Sequence, residues 1–544
     1  MPLPIFEIRD AITNRLRDPG TPNLLLKAPT GSGKSTQVPQ FILDAGLLAD
    51  GDDIVVLQPR RIAARMLARR VAQERSVRLG DEVGYQVRFE NHTSRSTRIR
   101  FVTEGVLLRQ LLQNPDLKGT GCVIIDEFHE RHLDGDLALA WSRAVQMERR
   151  ADLKIVVMSA TLAPGPLADF LDPCETLESE GRTFPVDIRY QPPGVLRNRE
   201  PEPVWDQATR ACETLAQSGE ADRGNILVFM PGAYEISKTL AALGASRALR
   251  PWKPVALHGQ LSPADQDAAV SPDGPPRIIV ATNVAETSLT IEGVRAVVDS
   301  GLARVAAYDP RRGINTLTIE KISQASAEQR AGRAGRLGPG IAIRLWTQAD
   351  QTRREPQTAP EVHRLELSEA LLALKTAATD SRLTIDWFEP PKPAALDRAR
   401  SLLHSLDALD TDDRITPTGR AMAGFPAHPR LARLLLASAD LHCLHEAATC
   451  AAIAQGRGIL VRQRSSPATR QKTDFWEPGD VTEFQASLRA LQHAENMRFD
   501  LGACSDYGIH ARSAREAAQM RDQLLRLAER SGLHVNTDPA DPEN

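Results

Sequence analysis

Leu-Leu-Leu-Lys-Ala-Pro-Thr-Gly-Ser-Gly-Lys-Ser-Thr, residues 24–36, is the stretch whose reading decides the fold. An apolar run, Leu24 to Leu26, enters a Gly-rich turn, and Ser35 to Leu48 then carry a helical pattern. Strand, glycine turn and helix in that order make a P-loop. Gly31 and Gly33 let backbone N–H groups point inward at a polyphosphate, and a helix N-terminus favours that negative charge. Lys34 reaches the outer phosphates, and the Ser35 hydroxyl is placed to ligand Mg²⁺. The expected nucleotide-binding set is Thr30, Gly31, Ser32, Gly33, Lys34, Ser35 and Thr36. Where the pattern asks for its first glycine this chain has Ala28, a small residue that leaves the phosphate chemistry in place.

Outward from this loop, short apolar runs recur at Asp53 to Gln58, Ile99 to Thr103, Cys122 to Ile125 and Lys154 to Met158. Helical patterns such as Arg61 to Glu74 and Glu104 to Leu112 separate them, which predicts an α/β fold with a parallel sheet and crossover helices. The rhythm restarts at Asn225 to Met230, Pro254 to Leu257, Arg277 to Ala281, Ala296 to Asp299 and Ile341 to Trp346. Two such sheets leave a cleft, and sites in folds of this kind form at the carboxyl ends of strands. A Pro-rich stretch, residues 191–205, reads as a surface connection. Beyond about residue 350 helical spacing dominates, at Glu366 to Thr376, Ala394 to Leu409, Pro429 to Ala437 and Ala511 to Leu527. Thr416-Pro-Thr-Gly-Arg420 marks a turn before a helix, and residues 535–544 read as a disordered tail.

The 544 residues suggest three or four domains, with a net charge of −3 and 25% charged residues. Any nucleic-acid site must therefore come from local clustering of cations. Fifty-seven of the 67 basic residues are Arg, which genomic base composition accounts for and which is no evidence for RNA or DNA. Six scattered cysteines without C-x-x-C pairs argue against a zinc site or disulfide framework and fit a reducing cytoplasm. The N-terminus lacks a signal-peptide pattern, and no run of 18 apolar residues occurs, so secretion and membrane spanning are not expected.

Cys-Val-Ile-Ile-Asp-Glu-Phe-His-Glu-Arg, residues 122–131, sets two carboxylates just past an apolar strand. Beside a P-loop, Asp126 would hold Mg²⁺ through water, and Glu127, also close to the metal, would orient and deprotonate the attacking water. Asp126-Glu-Phe-His129 resembles motif II of the DEAH/RHA branch of superfamily 2 helicases, with Phe128 where the usual member has Ala. The six-residue variant, with His129 retained, resembles the bacterial HrpB subgroup. Other stretches follow in that family's order. Gln58-Pro-Arg-Arg-Ile-Ala-Ala64 resembles motif Ia, Thr103-Glu-Gly-Val-Leu-Leu-Arg109 motif Ib and Ser159-Ala-Thr161 motif III. Leu227 to Gly232, Ala281 to Ile291 and Gln329 to Arg336 resemble motifs IV, V and VI.

The resemblance implies two tandem RecA-like domains, 1–180 and 181–350, then a winged helix at 351–425 and a helical bundle at 426–533, before a tail at 534–544. Pro360 to Arg364, Ile415 to Arg420 and His428 to Leu431 carry the C-terminal part of it. An OB-fold normally follows the bundle, and the chain stops near where one would begin, so a truncation or a compact member is expected. Arg330, Arg333 and Arg336, at spacing three, fit one basic helix face. The resemblance makes the last two arginine fingers on the γ-phosphate, with Gln329 helping to place water and Ser159 and Thr161 coupling hydrolysis to strand grip. It also puts Arg70 on one face of the base and Val270 where an aromatic would cover the other, which implies relaxed NTP preference.

Arg60, Arg61, Arg88, Thr103, Arg109, Thr282 and Asn283 are the candidate phosphate contacts of a nucleic acid, of the kind that fix register without reading sequence. Residues 304–318 resemble the family's β-hairpin at the duplex junction. The reading is an ATP- and Mg²⁺-dependent cytoplasmic monomer that moves 3′ to 5′ on single-stranded RNA and unwinds duplexes bearing an overhang. Rivals are an RNA-stimulated NTPase that remodels RNA–protein complexes, a nucleotide-controlled protein-binding switch, and a DNA motor.

Overall fold

The computed structural model describes residues 3–161, 164–181, 184–194, 201–220, 224–271, 273–287, 291–380, 383–456, 458–461 and 475–534. The tail 535–544, part of the Pro-rich connection and residues 288–290 of the motif V stretch lie outside the described residues. The chain divides into two compact units, residues 1–366 with 383–391, and residues 367–382 with 392–544.

Unit 1 contains both α/β repeats. Strands β1 (Asn23–Lys27), β2 (Asp53–Gln58), β3 (Val83–Val87), β4 (Glu90–His92), β5 (Ile99–Thr103), β6 (Thr120–Ile125), β7 (Lys154–Ser159) and β8 (Cys174–Glu178) form one sheet. Its order is β4-β3-β5-β2-β6-β7-β1-β8, and every pairing is parallel except β3 with β4. A parallel sheet is covered on both faces by its crossover helices, so its strands read as continuous apolar runs; β6 and the inner residues of β2 and β7 are buried throughout. Ala28 is fully buried in this core, and its N–H donates to the Ser159 carbonyl at 3.1 Å, so the small residue there completes the sheet edge below the loop.

Strands β9 (Val186–Tyr190), β10 (Asn225–Phe229), β11 (Lys253–Leu257), β12 (Arg277–Ala281), β13 (Val294–Asp299) and β16 (Gly340–Arg344) form the second sheet, all parallel, in the order β11-β12-β10-β13-β16-β9. The expected boundary at 180/181 falls between β8 and β9. β14 (Leu302–Asp309) and β15 (Ile314–Lys321) pair as the antiparallel hairpin expected at 304–318. Arg330 packs inside this repeat: it is 1% exposed, its guanidinium bonds Glu286 at 2.8 Å and Asp299 at 2.9 Å, and it lies over the Phe229 ring. The expected single basic stripe is therefore not present. The helix Gln324–Gly332 ends before Arg333, a 3-10 turn Arg333–Gly335 takes over, and both Arg330 and Arg333 are buried.

The expected boundary at 350/351 lies within unit 1. Residues 351–366 are stitched to the second repeat by Gln324 N–H to the Glu355 carbonyl, Tyr308 N–H to the Arg364 carbonyl and Arg354 to the Gly301 carbonyl, at 2.9, 2.7 and 2.9 Å. Unit 2 is helical, with Ser368–Asp380, Pro393–Ser405 and Pro417–Ala423 followed by Pro429–Asp440, Leu444–Gln455, Glu483–Asn496, Leu501–Asp506 and Ala511–Arg530. Thr416 is the N-cap of Pro417–Ala423, its hydroxyl accepting from Gly419 N–H, so the expected turn is also the start of the helix. Alanines 490, 494, 514, 517 and 518 let helices of this unit approach closely. Among the described residues no helix is long and apolar enough to cross a membrane.

Two glycines in the arginine turn differ sharply in their surroundings. A Cβ at Gly335 would stand 2.5 Å from the Phe184 carbonyl oxygen, whereas one at Gly332 would meet nothing within 4 Å. Gly335→Ala is therefore expected to destabilise unit 1 by about 1–3 kcal/mol, and Gly332→Ala to be neutral or slightly stabilising. Denaturant unfolding of the two variants checks this, and equal behaviour would contradict the packing.

Candidate active site

The P-loop is built by β1 and the helix Lys34–Asp44, with the turn between them made by two left-handed glycines, Gly31 at φ +89° and Gly33 at φ +93°. Gly33 is also hemmed in, because a Cβ there would lie 2.8 Å from Leu3 Cδ1. No side chain caps this helix, so its first N–H groups open into the loop.

Lys34 is 3% exposed and its Nζ sits 3.3 Å from Glu127 Oε1. Asp126 follows β6 next to β1's neighbour β7, so adjacent parallel strands bring the acidic turn to the loop. Its carboxylate accepts from Gln58 Nε2 at 2.7 Å, from Glu127 N–H at 2.9 Å and from the Ser35 hydroxyl. Burial and the adjacent Glu127 charge push Asp126 above the usual carboxylate range. Burial acts the same way on Glu127, but Lys34 and then His129 outweigh it and hold that carboxyl below its ordinary value. His129 Nδ1 lies 3.6 Å from Glu127 Oε2.

The second repeat supplies the other wall. An added Cβ on Gly31 would touch Arg336, at 3.7 Å from Nε, so this guanidinium covers the loop. Burial lowers Arg336 to about 10, with Glu127 opposing the fall, while burial and the neighbouring Arg336 bring Arg333 well below its ordinary value. Arg333 Nε donates to the Glu286 carbonyl at 2.9 Å. Gln329 Nε2 reaches Thr161 Oγ1 at 3.4 Å, joining motifs VI and III across the cleft. Buried atoms here have no hydrogen-bond partner among the described residues: Ser32 Oγ, Glu127 Oε2, and Arg336 Nε and Nη1. Unsatisfied donors and a carboxylate oxygen around a glycine cradle fit a polyphosphate with its cation.

The other expected residues divide. Thr30 and Thr36 lie in the loop and the first helical turn, and Ser159 is buried at the end of β7. Arg70 is 64% exposed and bonds Glu74 at 2.7 Å. Val270 is buried in the second repeat's core with Phe229 and Ile279, so it offers no stacking face. Arg61 and Arg88 meet, the Arg61 guanidinium donating to the Arg88 carbonyl at 3.2 Å. Thr103, Thr282 and Asn283 end or follow parallel strands at carboxyl edges, and Arg109 lies on the helix Glu104–Gln113; all four are partly exposed.

Arg60, expected among the phosphate contacts, has an internal partner. Its guanidinium turns to Glu130, with Nη2 at 2.7 Å from the carboxylate, so part of its charge is paired within the protein. Glu130 also accepts from Thr287 Oγ1 of the second repeat at 2.5 Å. Despite burial, Arg60 and then His132 bring the Glu130 carboxyl down to about 2, and Glu104 with Glu130 lifts His132 to about 10. Gln58, Glu130 and Thr287 thus belong to the site although sequence reading gave them no role. The pairing of polar residues at three strand ends was visible only as their presence inside motif stretches.

Residues 8–170 match the DEAD/DEAH box helicase family and residues 207–338 the helicase conserved C-terminal domain. Residues 399–427 match the winged-helix part of the helicase-associated domain HA2, and 428–523 its ratchet-like part. The chain is similar to a crystal structure of the Escherichia coli DEAH/RHA helicase HrpB, with 36% identity, a TM-score of 0.77, and coverage of 91% of this chain and 60% of that one. A second structure, of the E. coli DExH-box NTPase HrpB, matches at 36% identity and a TM-score of 0.73, covering 90% of this chain and 58% of that one. The chain spans about three-fifths of the length of these relatives. With a P-loop repeat, an arginine-bearing second repeat and both HA2 parts in order, the chain belongs to the DEAD/DEAH box helicases, in the group whose two RecA-like domains are followed by a winged helix and a ratchet-like helical region.

Proposed function

We propose that this chain is an Mg²⁺- and NTP-dependent RNA helicase that couples hydrolysis to 3′ to 5′ movement on single-stranded RNA and opens duplexes with an overhang. The observation that carries the reading is the guanidinium of Arg336, delivered by the second RecA-like domain onto Gly31 of the first domain's P-loop. Hydrolysis then depends on domain closure, which is how a motor links chemistry to motion.

The backbone of residues 30–36 and Lys34 would hold the phosphates, with Ser35 and Asp126 placed for Mg²⁺. Bound Mg²⁺ would neutralise charge on the outer phosphates. Glu127, kept ionised by Lys34 and His129, would accept the proton of an attacking water that Gln329 helps to place. Arg333 and Arg336 would stabilise charge on the departing phosphates, and such fingers are worth roughly 10³ to 10⁵ in rate. Arg61, Arg88, Thr103, Arg109, Thr282 and Asn283 remain the proposed contacts to the nucleic-acid backbone. The hairpin β14–β15, with Leu317 64% exposed, supports a role at a strand junction.

Steady-state ATP hydrolysis by wild type and Glu127→Gln, with and without single-stranded RNA or matched DNA, tests the reading. RNA is expected to stimulate wild-type turnover, and the substitution to lower it by about 10²-fold or more. Stimulation by DNA alone would point to a DNA motor, and a strand-displacement assay separates unwinding from remodelling without unwinding. Because Val270 is buried, ATP, GTP, CTP and UTP are expected to be hydrolysed with kcat/KM within about tenfold of one another, the scale of a single weak contact. A strong ATP preference would show that another group reads the base.

A further inference from the structure

The turn that carries Glu127 is strained at both ends. Glu127 has φ +53° and Arg131 φ +49°, and a single 3-10 turn, Phe128–Glu130, lies between them. Side chains other than glycine leave the left-handed region unless their surroundings hold them there. Contacts from four separate places in the chain hold this turn. Glu130 is fixed by Arg60 and Thr287, at 2.7 and 2.5 Å. His132, just beyond the turn, is fixed by Glu104 at 3.1 Å. Phe128 and Arg131 are fixed by a segment far away in sequence, residues 383–391.

That last attachment is a clamp. The Phe388 ring stands 5.7 Å from the Phe128 ring and 5.4 Å from the Phe170 ring. The Arg131 guanidinium lies 4.7 Å from the Phe388 centroid and 5.6 Å from the Phe128 centroid, beside the ring pair and in reach of both. It makes a two-point ion pair with Asp136, at 3.0 and 2.9 Å, and a further one with Glu389 at 2.9 Å. Glu389 is itself held by His363 Nε2 at 2.6 Å, and the Arg131 carbonyl accepts from Glu361 N–H at 3.0 Å. Phe128 is 3% exposed and Arg131 8%, so the inner half of the cluster is buried and its ring–cation contacts are strengthened there, while Glu389 closes it from the half-exposed side. The helicase reading leaves Phe128 as a departure from the usual Ala; the structure gives it a partner.

We propose that Phe128, Arg131, Phe388 and Glu389 are positioning residues for Glu127: through the clamp, segment 383–391 keeps the strained turn in register, so the carboxylate points at the water it must activate. The proposal rests on the hydrolase reading above. Among the described residues no hydrogen bond, ion pair or ring contact joins these four side chains to residues 30–36, so the clamp is expected to act on the chemical step and to leave nucleotide binding alone.

The test compares the full chain with Phe388→Ala, Phe388→Leu, Glu389→Gln and the double variant Phe128→Ala/Phe388→Ala. It measures kcat and KM for Mg-ATP, the affinity for a fluorescent ADP analogue, and the unfolding midpoint. Phe388→Ala is expected to lower kcat about tenfold, as a small misplacement of a catalytic group does, with KM and analogue affinity within about twofold. Phe388→Leu should recover most of the loss, and the double variant should lose little more than Phe388→Ala, since both rings serve one contact. A folded Phe388→Ala and a Glu389→Gln that keep wild-type kcat, or a loss carried by KM and affinity, would overturn the clamp. If Phe388→Ala does not fold, Phe388→Leu and Glu389→Gln decide on the same readouts. Wild type that hydrolyses no faster than Glu127→Gln would instead sink the hydrolase reading, and the clamp with it.

Discussion

Charge brought out of water is the constraint on which the rest of this structure depends. Lys34, Asp126, Glu127 and Arg333 are each less than 5% exposed, and parts of Arg336 are equally dry. Three cations and two carboxylates share this space, and the shifts show the mismatch: Asp126 is pushed up, while Arg333 and Arg336 are pushed down. Burying charge without full compensation costs several kcal/mol per ion, on the order that whole domains have as net stability. A protein keeps such a cluster where a ligand of opposite charge completes it. The excess of cations, the glycine cradle and the helix N-terminus all ask for the same polyanion.

Around that cluster the protein places buried, hydrogen-bonded ion pairs that hold the geometry. Arg330 joins Glu286 and Asp299 under the Phe229 ring, and removing one member of such a buried pair costs about 3–5 kcal/mol. Glu286 also offers its carbonyl to Arg333, so the structural arginine and its neighbour are fixed through one residue. Arg60, Glu130 and Thr287 repeat the design across the two repeats. The arginines of one short motif thus divide into an anchor, fully paired within its own repeat, and Arg336, whose Nε and Nη1 are buried without a hydrogen-bond partner.

Much of this was legible because the signals are local. Thr30 to Thr36 had to be a phosphate loop, since the left-handed turn needs Gly31 and Gly33 and the helix must start at once. The β-runs were legible because strands of a covered parallel sheet are apolar along their length. Less was legible where polar residues choose between partners. Arg60 and Arg61 are neighbours of the same type, yet one turns to Glu130 and the other to the Arg88 carbonyl. The boundary expected after residue 350 falls inside unit 1, and helical spacing in 351–366 says nothing of the backbone bonds that tie this stretch to the second repeat.

The sequence by itself determined the α/β repeats, the phosphate loop, the acidic strand end and the order of the helicase stretches, because each depends on residues adjacent in the chain. Only the tertiary structure decided which arginine is an anchor, which covers Gly31, and what Phe128 of the acidic motif packs against. Those outcomes depend on Phe388, Asp299 and Glu130, distant in sequence and set beside their partners only once the sheets have formed. A side chain's type limits what it can bond; burial and the distance to the nearest opposite charge decide what it does.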